Sequence, residues 1–376
     1  MEDTVFRGCG THPTTHNRVE LLNDAAQMYA SLIAALHRAR SSILLEYYIF
    51  DDDRLGCAIS EVLIRRARSG VKVCVIYDWI GSRMPVWGML RRLRSAGVEV
   101  RPFRPLCWGR VWDSLNMRNH RKIAVIDEHI AFLGGINIAR RYLEGTELGR
   151  WRDEHLRLEG EAVADLLHLF GRDWRALGGE DLQLSARAFG SIAEPMTTLV
   201  AWSEEGHSRA VVEQLLVALI EGAREELLLS SPYFIPTPPL LKAIREALRR
   251  GVRVELMTPL RADLRLATRA SEGFYGELLH LGMVIHRYEK GFLHTKLVAV
   301  DREKICLGTP NLDYRSLRTN WEVVAVVRNK EFGRRVVETF RLDCEKCTTL
   351  DYVTWKSRPL WLRLQSRLAQ LFRRWL

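Results

Sequence analysis

Lysine is scarce in this chain of 376 residues, nine among 56 basic side chains, so arginine serves nearly everywhere a cation is wanted. Each remaining lysine marks a place where a compact ammonium is a different tool from a guanidinium fork. No stretch of ~18 apolar residues runs uninterrupted, which excludes a spanning helix. The opening Met1-Glu2-Asp3-Thr4 has no basic head before an apolar segment, so no signal peptide is expected. Cysteines are few, odd in number and scattered (Cys9, Cys57, Cys74, Cys107, Cys306, Cys344, Cys347), which argues against a disulfide framework and for a reducing compartment. Cys344 and Cys347 form one C-x-x-C, but without a second ligand pair no zinc or redox site is expected there. Acidic residues are absent after Asp351, while Lys356, Arg358, Arg363, Arg367, Arg373 and Arg374 follow. More than half of the net charge of +10 therefore sits in one tail, which suits a polyanion and leaves nucleic acid and an anionic membrane equally open.

With 47% hydrophobic residues, the chain can fill two cores. The same order of elements is written twice. In the first half, helical Ala26 to Arg40 leads into an apolar run from Ser42 to Phe50, then a helix from Gly56 to Ser69, Gly70-Val71-Lys72-Val73, an amphipathic segment and Gly97-Val98-Glu99-Val100. In the second, Val211 to Arg224 leads into Glu226 to Phe234, a helix from Pro239 to Arg250, Gly251-Val252-Arg253-Val254, Ala270 to Leu281 and Gly282-Met283-Val284-Ile285. Helices alternating with short β-rich runs predict an α/β protein of two similar lobes, each a mixed, largely parallel sheet flanked by helices. Weak periodicity around Gly190 and Pro195 places the boundary near residue 190, giving lobes 1–190 and 191–354 and a basic tail 355–376.

Each half ends in a matching cluster. His120-Arg121-Lys122 with Asp127 is followed after six residues by Gly134-Gly135-Ile136-Asn137; His294-Thr295-Lys296 with Asp301 is followed after six by Gly308-Thr309-Pro310-Asn311. One chance H-x-K-x4-D is expected on the order of once per hundred such chains, and two copies in register with a repeat are not accidental. Positions i and i+2 of a strand share a face, so each His projects with its Lys. Asp127 and Asp301 fall at strand ends, where position suggests that they hold turns. A histidine acting as base or nucleophile also needs a carboxylate on its other nitrogen. Asp153 and Glu322, which open the next strand-like run of each half, are the candidates, set against the plain reading of strand-end charges.

The doubled motif resembles the phospholipase D superfamily over almost the whole chain. Pro232-Tyr233-Phe234-Ile235-Pro236 and the segment Asn311 to Glu322 are similar to its bacterial cardiolipin synthase branch, in a short form without membrane-spanning helices. The resemblance implies one active site at the lobe interface and a catalytic set of His120, Lys122, Asp127, His294, Lys296 and Asp301. It implies His120 as nucleophile forming a phosphatidyl-histidine, His294 as acid/base, and Asn137 and Asn311 with the lysines on the phosphate oxygens, with no metal or other cofactor. The implied reaction transfers a phosphatidyl group between phosphatidylglycerol molecules; the alternative is hydrolysis of the same bond by water, as phospholipase or nuclease.

In the tail, ~100° per residue from Leu360 gathers Leu360, Trp361, Leu364, Leu368, Leu371, Phe372 and Trp375 on one arc, with Arg363, Arg367 and Arg374 beside it. That pattern fits an interfacial helix on an anionic bilayer, and equally a final helix docked on its own protein. A basic and aromatic patch from Arg101 to Trp112 suits stacked bases or lipid headgroups. The expected partners are anionic phospholipids such as phosphatidylglycerol and cardiolipin, at the cytoplasmic face of a bacterial membrane, rather than nucleic acid.

Overall fold

A computed structural model describes residues 12–82, 87–104, 117–184, 190–205 and 210–376. The first half runs β1 (Thr14–Leu22), α1 (Ala25–Arg38), β2 (Ser42–Tyr47), α2 (Arg54–Arg68), β3 (Lys72–Asp78), α3 (Trp87–Ser95), β4 (Glu99–Phe103), β5 (Lys122–Ile126), β6 (Ile130–Gly134), α4 (Arg140–Glu144), β7 (Arg150–Arg152), β8 (His155–Gly160) and α5 (Ala162–Ala176). The second runs β9 (Met196–Ser203), α6 (Val211–Glu221), β10 (Glu226–Ser230), β11 (Phe234–Ile235), α7 (Pro238–Arg249), β12 (Arg253–Pro259), α8 (Arg265–His280), β13 (Val284–Tyr288), β14 (Gly291–Leu293), β15 (Leu297–Val300), β16 (Lys304–Gly308), β17 (Leu312–Asp313), α9 (Tyr314–Arg318), β18 (Glu322–Arg328) and α10 (Lys330–Cys344). After them come β19 (Cys347–Thr349), α11 (Tyr352–Lys356) and α12 (Leu360–Leu371).

Local chemistry accounts for the repeat. Asp24 and Asn329 each accept a 2.8 Å bond from the backbone three residues on, to start α1 and α10, and such a cap stabilises a helix by about 1 kcal/mol. The four repeated glycines, Gly70, Gly97, Gly251 and Gly282, have φ of 90°, 88°, 83° and 94°. Each reverses the chain from a helix into the following strand in a left-handed conformation that a side chain would strain.

Strand order confirms the duplication and corrects its pairing. One sheet of fifteen strands runs β19-β13-β12-β10-β15-β16-β18-β9-β1-β8-β6-β5-β2-β3-β4, so the halves meet back to back at β9 and β1. Pairing is parallel only in the wings, at β2–β3–β4 and at β10–β12–β13; the other ladders of this sheet are antiparallel. The sheet is mixed rather than largely parallel. Helical crossovers impose parallel pairing, and the motif strands β5 and β15 turn straight back into β6 and β16 through two tight turns instead.

Helices cover both faces. Alternate residues of β5, Ala124 and Ile126, join the core under α1, α2 and α3, while Ile123 and Val125 face a core under α5 and α10 that draws on both halves. Leu227 and Leu229 of β10 face the matching core under α6, α7 and α8. Trp174, Phe170, Val336 and Phe340 are all buried in the shared layer, so the two halves are bound by one continuous apolar interior.

Candidate active site

His120 and Lys122 stand at the start of β5, and His294 and Lys296 at the start of β15. Each ammonium folds back on its own motif: Lys122 Nζ donates to the His120 carbonyl and Lys296 Nζ to the His294 carbonyl. Both histidines line one cleft of about 980 Å³ together with Tyr48, Asn137, Tyr142, Trp151, Asn311 and Asp313.

The carboxylates arrive from the opposite half. Short backbone bridges place them: His120 N donates to Trp321 O at 2.9 Å, and His294 N to Arg152 O at 2.7 Å. Residue 322 therefore lies beside His120 and residue 153 beside His294. His120 Nδ1 is 2.9 and 3.1 Å from the two oxygens of Glu322, and His294 Nδ1 is 2.6 Å from Asp153 Oδ2. Lys296 Nζ also lies 2.8 Å from His294 Nδ1. A ring nitrogen carries one proton at most, and the acceptor-only carboxylate claims it, so the Nδ1–H points to Asp153 and Nε2 is left for substrate.

The motif glycines make room for this crossing. A Cβ on Gly135 would meet Asp153 Oδ1 at 2.2 Å, and one on Gly308 would meet the Val324 Cα at 2.7 Å. At the position matching Gly135 the second half has Thr309, whose hydroxyl donates to Glu322 Oε2 at 2.5 Å and adds a third anchor to that carboxylate.

Burial sets the charges. It pushes His120 down to about 4 and His294 down to about 3, against the opposing pull of Glu322 and Asp153, so both imidazoles are neutral at pH 7. Burial likewise lowers Lys122 to about 7 and Lys296 to about 8. The carboxyls of Asp153 and Glu322 go the other way. Burial alone would raise them, but the lysine and histidine facing each hold it below its ordinary range.

The remaining expected site residues divide. Asn137 donates to the Tyr142 hydroxyl at 2.6 Å and accepts from Ile49 N at 2.9 Å, so both ends of its amide are engaged. Asn311 donates to Asp313 Oδ2 at 3.0 Å. Asp127 and Asp301 do not border the cleft, and grouping them with the catalytic side chains is corrected here. Asp127 accepts from the backbone of Arg40, Ser41 and Ser42 at 2.7–3.1 Å, and Asp301 from Arg224, Glu225 and Glu226 at 2.8–3.2 Å. Both sit at the far end of the motif strand with φ of 53° and 51°, tying the turn to the neighbouring strand.

Sequence reasoning missed several lining residues. Arg118 is buried and bonded to Asp78 at 2.6 Å; Tyr233 donates to Asp263; Asp313 is pushed up to about 6 by burial. Asp313 and Asn320 lie inside the segment from Asn311 to Glu322, where the recurrence of polar residues was the available signal. In the basic and aromatic patch, Arg101 bonds Leu177 O at 3.0 Å over the Trp174 ring and Arg104 pairs with Glu205, so both are taken up within the protein. Residues 105–112 of that patch lie outside the described residues.

Among the described residues, the grouping suited to a metal ion is Glu255, His286 and Cys344, none of which borders the cleft. Glu255 there is already bonded to His286 at 2.8 Å and to Arg341 at 2.6 Å, a cationic setting ill suited to a divalent ion.

The tail docks on its own protein and leaves its apolar arc exposed. Helix α12 lies on α8, with Ser366 and Ala369 buried and Gln370 so close that a Cβ on Gly273 would meet its side chain at 2.4 Å. The apolar arc faces away from that contact: Leu360, Trp361, Leu364, Leu368, Leu371, Phe372 and Trp375 are 51–76% exposed. Arg363, Arg367 and Arg374 are exposed beside it. Among the described residues no helix is long and apolar enough to cross a membrane.

A mirrored α/β sheet that brings the histidines of two H-x-K motifs to one cleft defines a phospholipase D-type fold. The family model described as cardiolipin synthase, PLD-like domain, matches residues 32–174 and 216–344. A cardiolipin synthase of Geobacillus kaustophilus is 36% identical over 368 residues, covering 96% of this chain and 73% of its own length. A cardiolipin synthase 2 of Bacillus cereus is 37% identical over 334 residues, 88% of this chain and 65% of its own. Among solved structures, phosphatidylserine synthase of Haemophilus influenzae shares the fold end to end, with a TM-score of 0.75 at 16% identity over 100% of this chain and 99% of that one. The chain belongs to the cardiolipin synthase family of phospholipase D-like proteins.

Proposed function

We infer that the protein is a phosphatidyltransferase that makes cardiolipin and glycerol from two molecules of phosphatidylglycerol. The observation that carries this reading is the crossed arrangement, in which two neutral histidines, each held by a buried carboxylate from the other half, share one cleft, with a buried lysine two residues beyond each. Nε2 of one histidine attacks phosphorus, the bond from phosphorus to the glycerol oxygen breaks, and the other imidazole, protonated, gives its proton to that oxygen. The second imidazole, now neutral, takes the proton of an incoming phosphatidylglycerol hydroxyl, whose oxygen attacks phosphorus as the P–N bond breaks. Entry of the anionic diester favours the protonated form of one ring, although both are neutral in the empty cleft. Lys122 and Lys296 carry the charge on the non-bridging oxygens. Asn137 and Asn311 would join them only by giving up their present bonds to Tyr142 and Asp313.

Following the family pattern, His120 is the nucleophile and His294 the acid/base. Incubating His294→Ala and His120→Ala with labelled phosphatidylglycerol tests this: the adduct should build up on His120 in the first and be absent from the second. For the wild type, resolving the products as cardiolipin or phosphatidic acid separates transfer from hydrolysis, and phosphatidic acid alone would refute the synthase reading.

The exposed arc of α12 supports peripheral docking on an anionic membrane. Each side chain of this size is worth about 1.5–3 kcal/mol when fully removed from water, and each nearby basic residue about 1 kcal/mol on an anionic surface. Because the buried face of α12 belongs to the fold, the test is the triple substitution Leu364→Ser, Leu368→Ser and Phe372→Ser. It should abolish flotation with phosphatidylglycerol vesicles and leave the melting temperature unchanged. A salt-sensitive gel shift with DNA and no flotation of the wild type would favour the nuclease alternative.

A further inference from the structure

The acid-free tail helps to build a second cavity. Helices α8, α11 and α12 enclose about 260 Å³ lined by Lys356, Arg358, Arg363 and Arg367 beside Glu272 and Trp355, none of which borders the catalytic cleft. The carboxylate there is already shared, since Glu272 pairs with Arg269 at 2.7 Å and with Arg287 and Arg358 at 3.8 Å. Among the described residues, no carboxylate pairs with Lys356, Arg363 or Arg367. Arg358 is half-buried and donates through Nε to the Trp355 carbonyl at 3.0 Å. Burial and the guanidinium groups of Arg269, Arg363 and Arg287 push it down, against the pull of Glu272.

Like charges gathered in a concavity repel, and water screens them less there than on a convex surface. An anion with several acceptor oxygens relieves that repulsion, and phosphate is the group that guanidinium forks and a lysine point charge fit together. The next surface indicates where the phosphate comes from. Arg363 and Arg367 also line a neighbouring hollow of about 330 Å³ with Leu360, Trp361 and Leu364, which are 57–76% exposed. A phosphate held by these arginines has apolar surface directly beside it, which suits an acyl chain and offers nothing to a free ion.

We propose that this pocket is a second, non-catalytic lipid site, which takes the phosphate of an anionic phospholipid between Lys356, Arg358, Arg363 and Arg367 and lays its acyl chains over Leu360, Trp361 and Leu364. The inference rests on the membrane-docking reading of α12 and adds to it one lipid bound at a defined position. That position matters for access to the cleft. Helix α8 floors the pocket at Glu272 and Gly273 and lines the cleft at Arg265 and Ala267. At 1.5 Å per residue the two are roughly 10 Å apart along one helix. Beyond the end of α12, Trp375 also borders the cleft. A lipid in the pocket therefore holds the mouth of the cleft at the bilayer surface, where lipid substrates lie.

Hydrogen exchange of the full-length protein tests this with dihexanoylphosphatidylglycerol kept below its micelle concentration, so that no bilayer takes part. With lipid at about ten times its half-saturating concentration, amides of residues 352–371 should exchange about tenfold more slowly. The double variant Lys356→Gln with Arg363→Gln, at two exposed positions without a carboxylate partner, should need at least about tenfold more lipid for the same protection. Lys356→Arg with Arg363→Lys, which keeps both charges, should match the wild type. Equal protection of the wild type by inorganic phosphate overturns the proposal in favour of a plain anion site, and equal protection by dihexanoylphosphatidylcholine in favour of adsorption on the apolar arc. Protection of the wild type confined to cleft peptides overturns it whether or not the variants fold, as does protection undiminished in a double variant that melts like the wild type. Protection of residues 352–371 by the monomeric lipid, in a protein that does not float with vesicles, would instead overturn the membrane-docking reading and leave the pocket standing.

Discussion

Replacing Lys122 by methionine should make the protein more stable and inactive. Lys122 is fully buried, and burial lowers it from 10.5 to about 7. At roughly 1.4 kcal/mol per pH unit the charged form is disfavoured by about 4–5 kcal/mol relative to water. Set against that are the bond to the His120 carbonyl and the contact with the Tyr48 ring at 5.4 Å, together about 2–3 kcal/mol. Methionine fills a similar volume without a charge, so a net gain of about 1–3 kcal/mol is expected, read as a higher midpoint in urea at pH 7. The sign can be checked by pH. A lysine whose folded value lies below its unfolded one binds fewer protons in the native state between about 7 and 10.5, so wild-type stability rises with pH across that window. The advantage of Lys122→Met should be complete below pH 7 and fade towards pH 10.5. Turnover on phosphatidylglycerol micelles should fall by about 10²–10³, as for the loss of one preorganised donor to a developing oxyanion. A variant less stable than wild type at pH 7, or an advantage that does not shrink at high pH, would refute the argument that a buried charge is held there against the stability of the fold.

Glu322→Gln and Asp153→Asn should each lower turnover by about 10²–10⁴ with melting temperatures near wild type, because a neutral amide no longer fixes the reactive tautomer; activity within tenfold of wild type in either would contradict the pairings described. Asp127→Asn and Asp301→Asn should destabilise by about 1–3 kcal/mol in thermal melts and leave turnover within about threefold, since their carboxylates bind backbone amides away from the cleft. The pH profile of kcat/KM should fall on the alkaline side between about 7 and 8, as Lys122 and Lys296 lose the protons that attract the diester; a profile flat to pH 9 would rule that out.

What was legible in the sequence was chemistry with a fixed spacing. The His–Lys pairs follow from strand periodicity, and the turn role of Asp127 and Asp301 from their place before the chain reverses. The helix-to-strand glycines mark the repeat because their backbone demands them. Pairing across the sheet was not legible. Strand β1 buries only Asn17, Val19 and Leu22, and nothing local says that it will zip to β8 and β9 and turn the centre antiparallel. The tail periodicity likewise showed which residues share a face, while the docking of Ser366 and Ala369 on α8 depends on a partner helix some hundred residues away in the chain.

The same limit hid the most consequential feature of the site. Asp153 and Glu322 were recognisable as strand-opening carboxylates, and the natural reading gives each to the histidine of its own half. The structure exchanges them, because β14 runs parallel to β7 and Asn119 bridges to Trp321 across the interface. Each half therefore holds a histidine without its carboxylate and a carboxylate without its histidine. Duplication of the motif supplies more than a second copy of one unit: neither half alone contains an imidazole held by a carboxylate, and the two His–carboxylate pairs come into being only when the shared core under α5 and α10 brings the halves together.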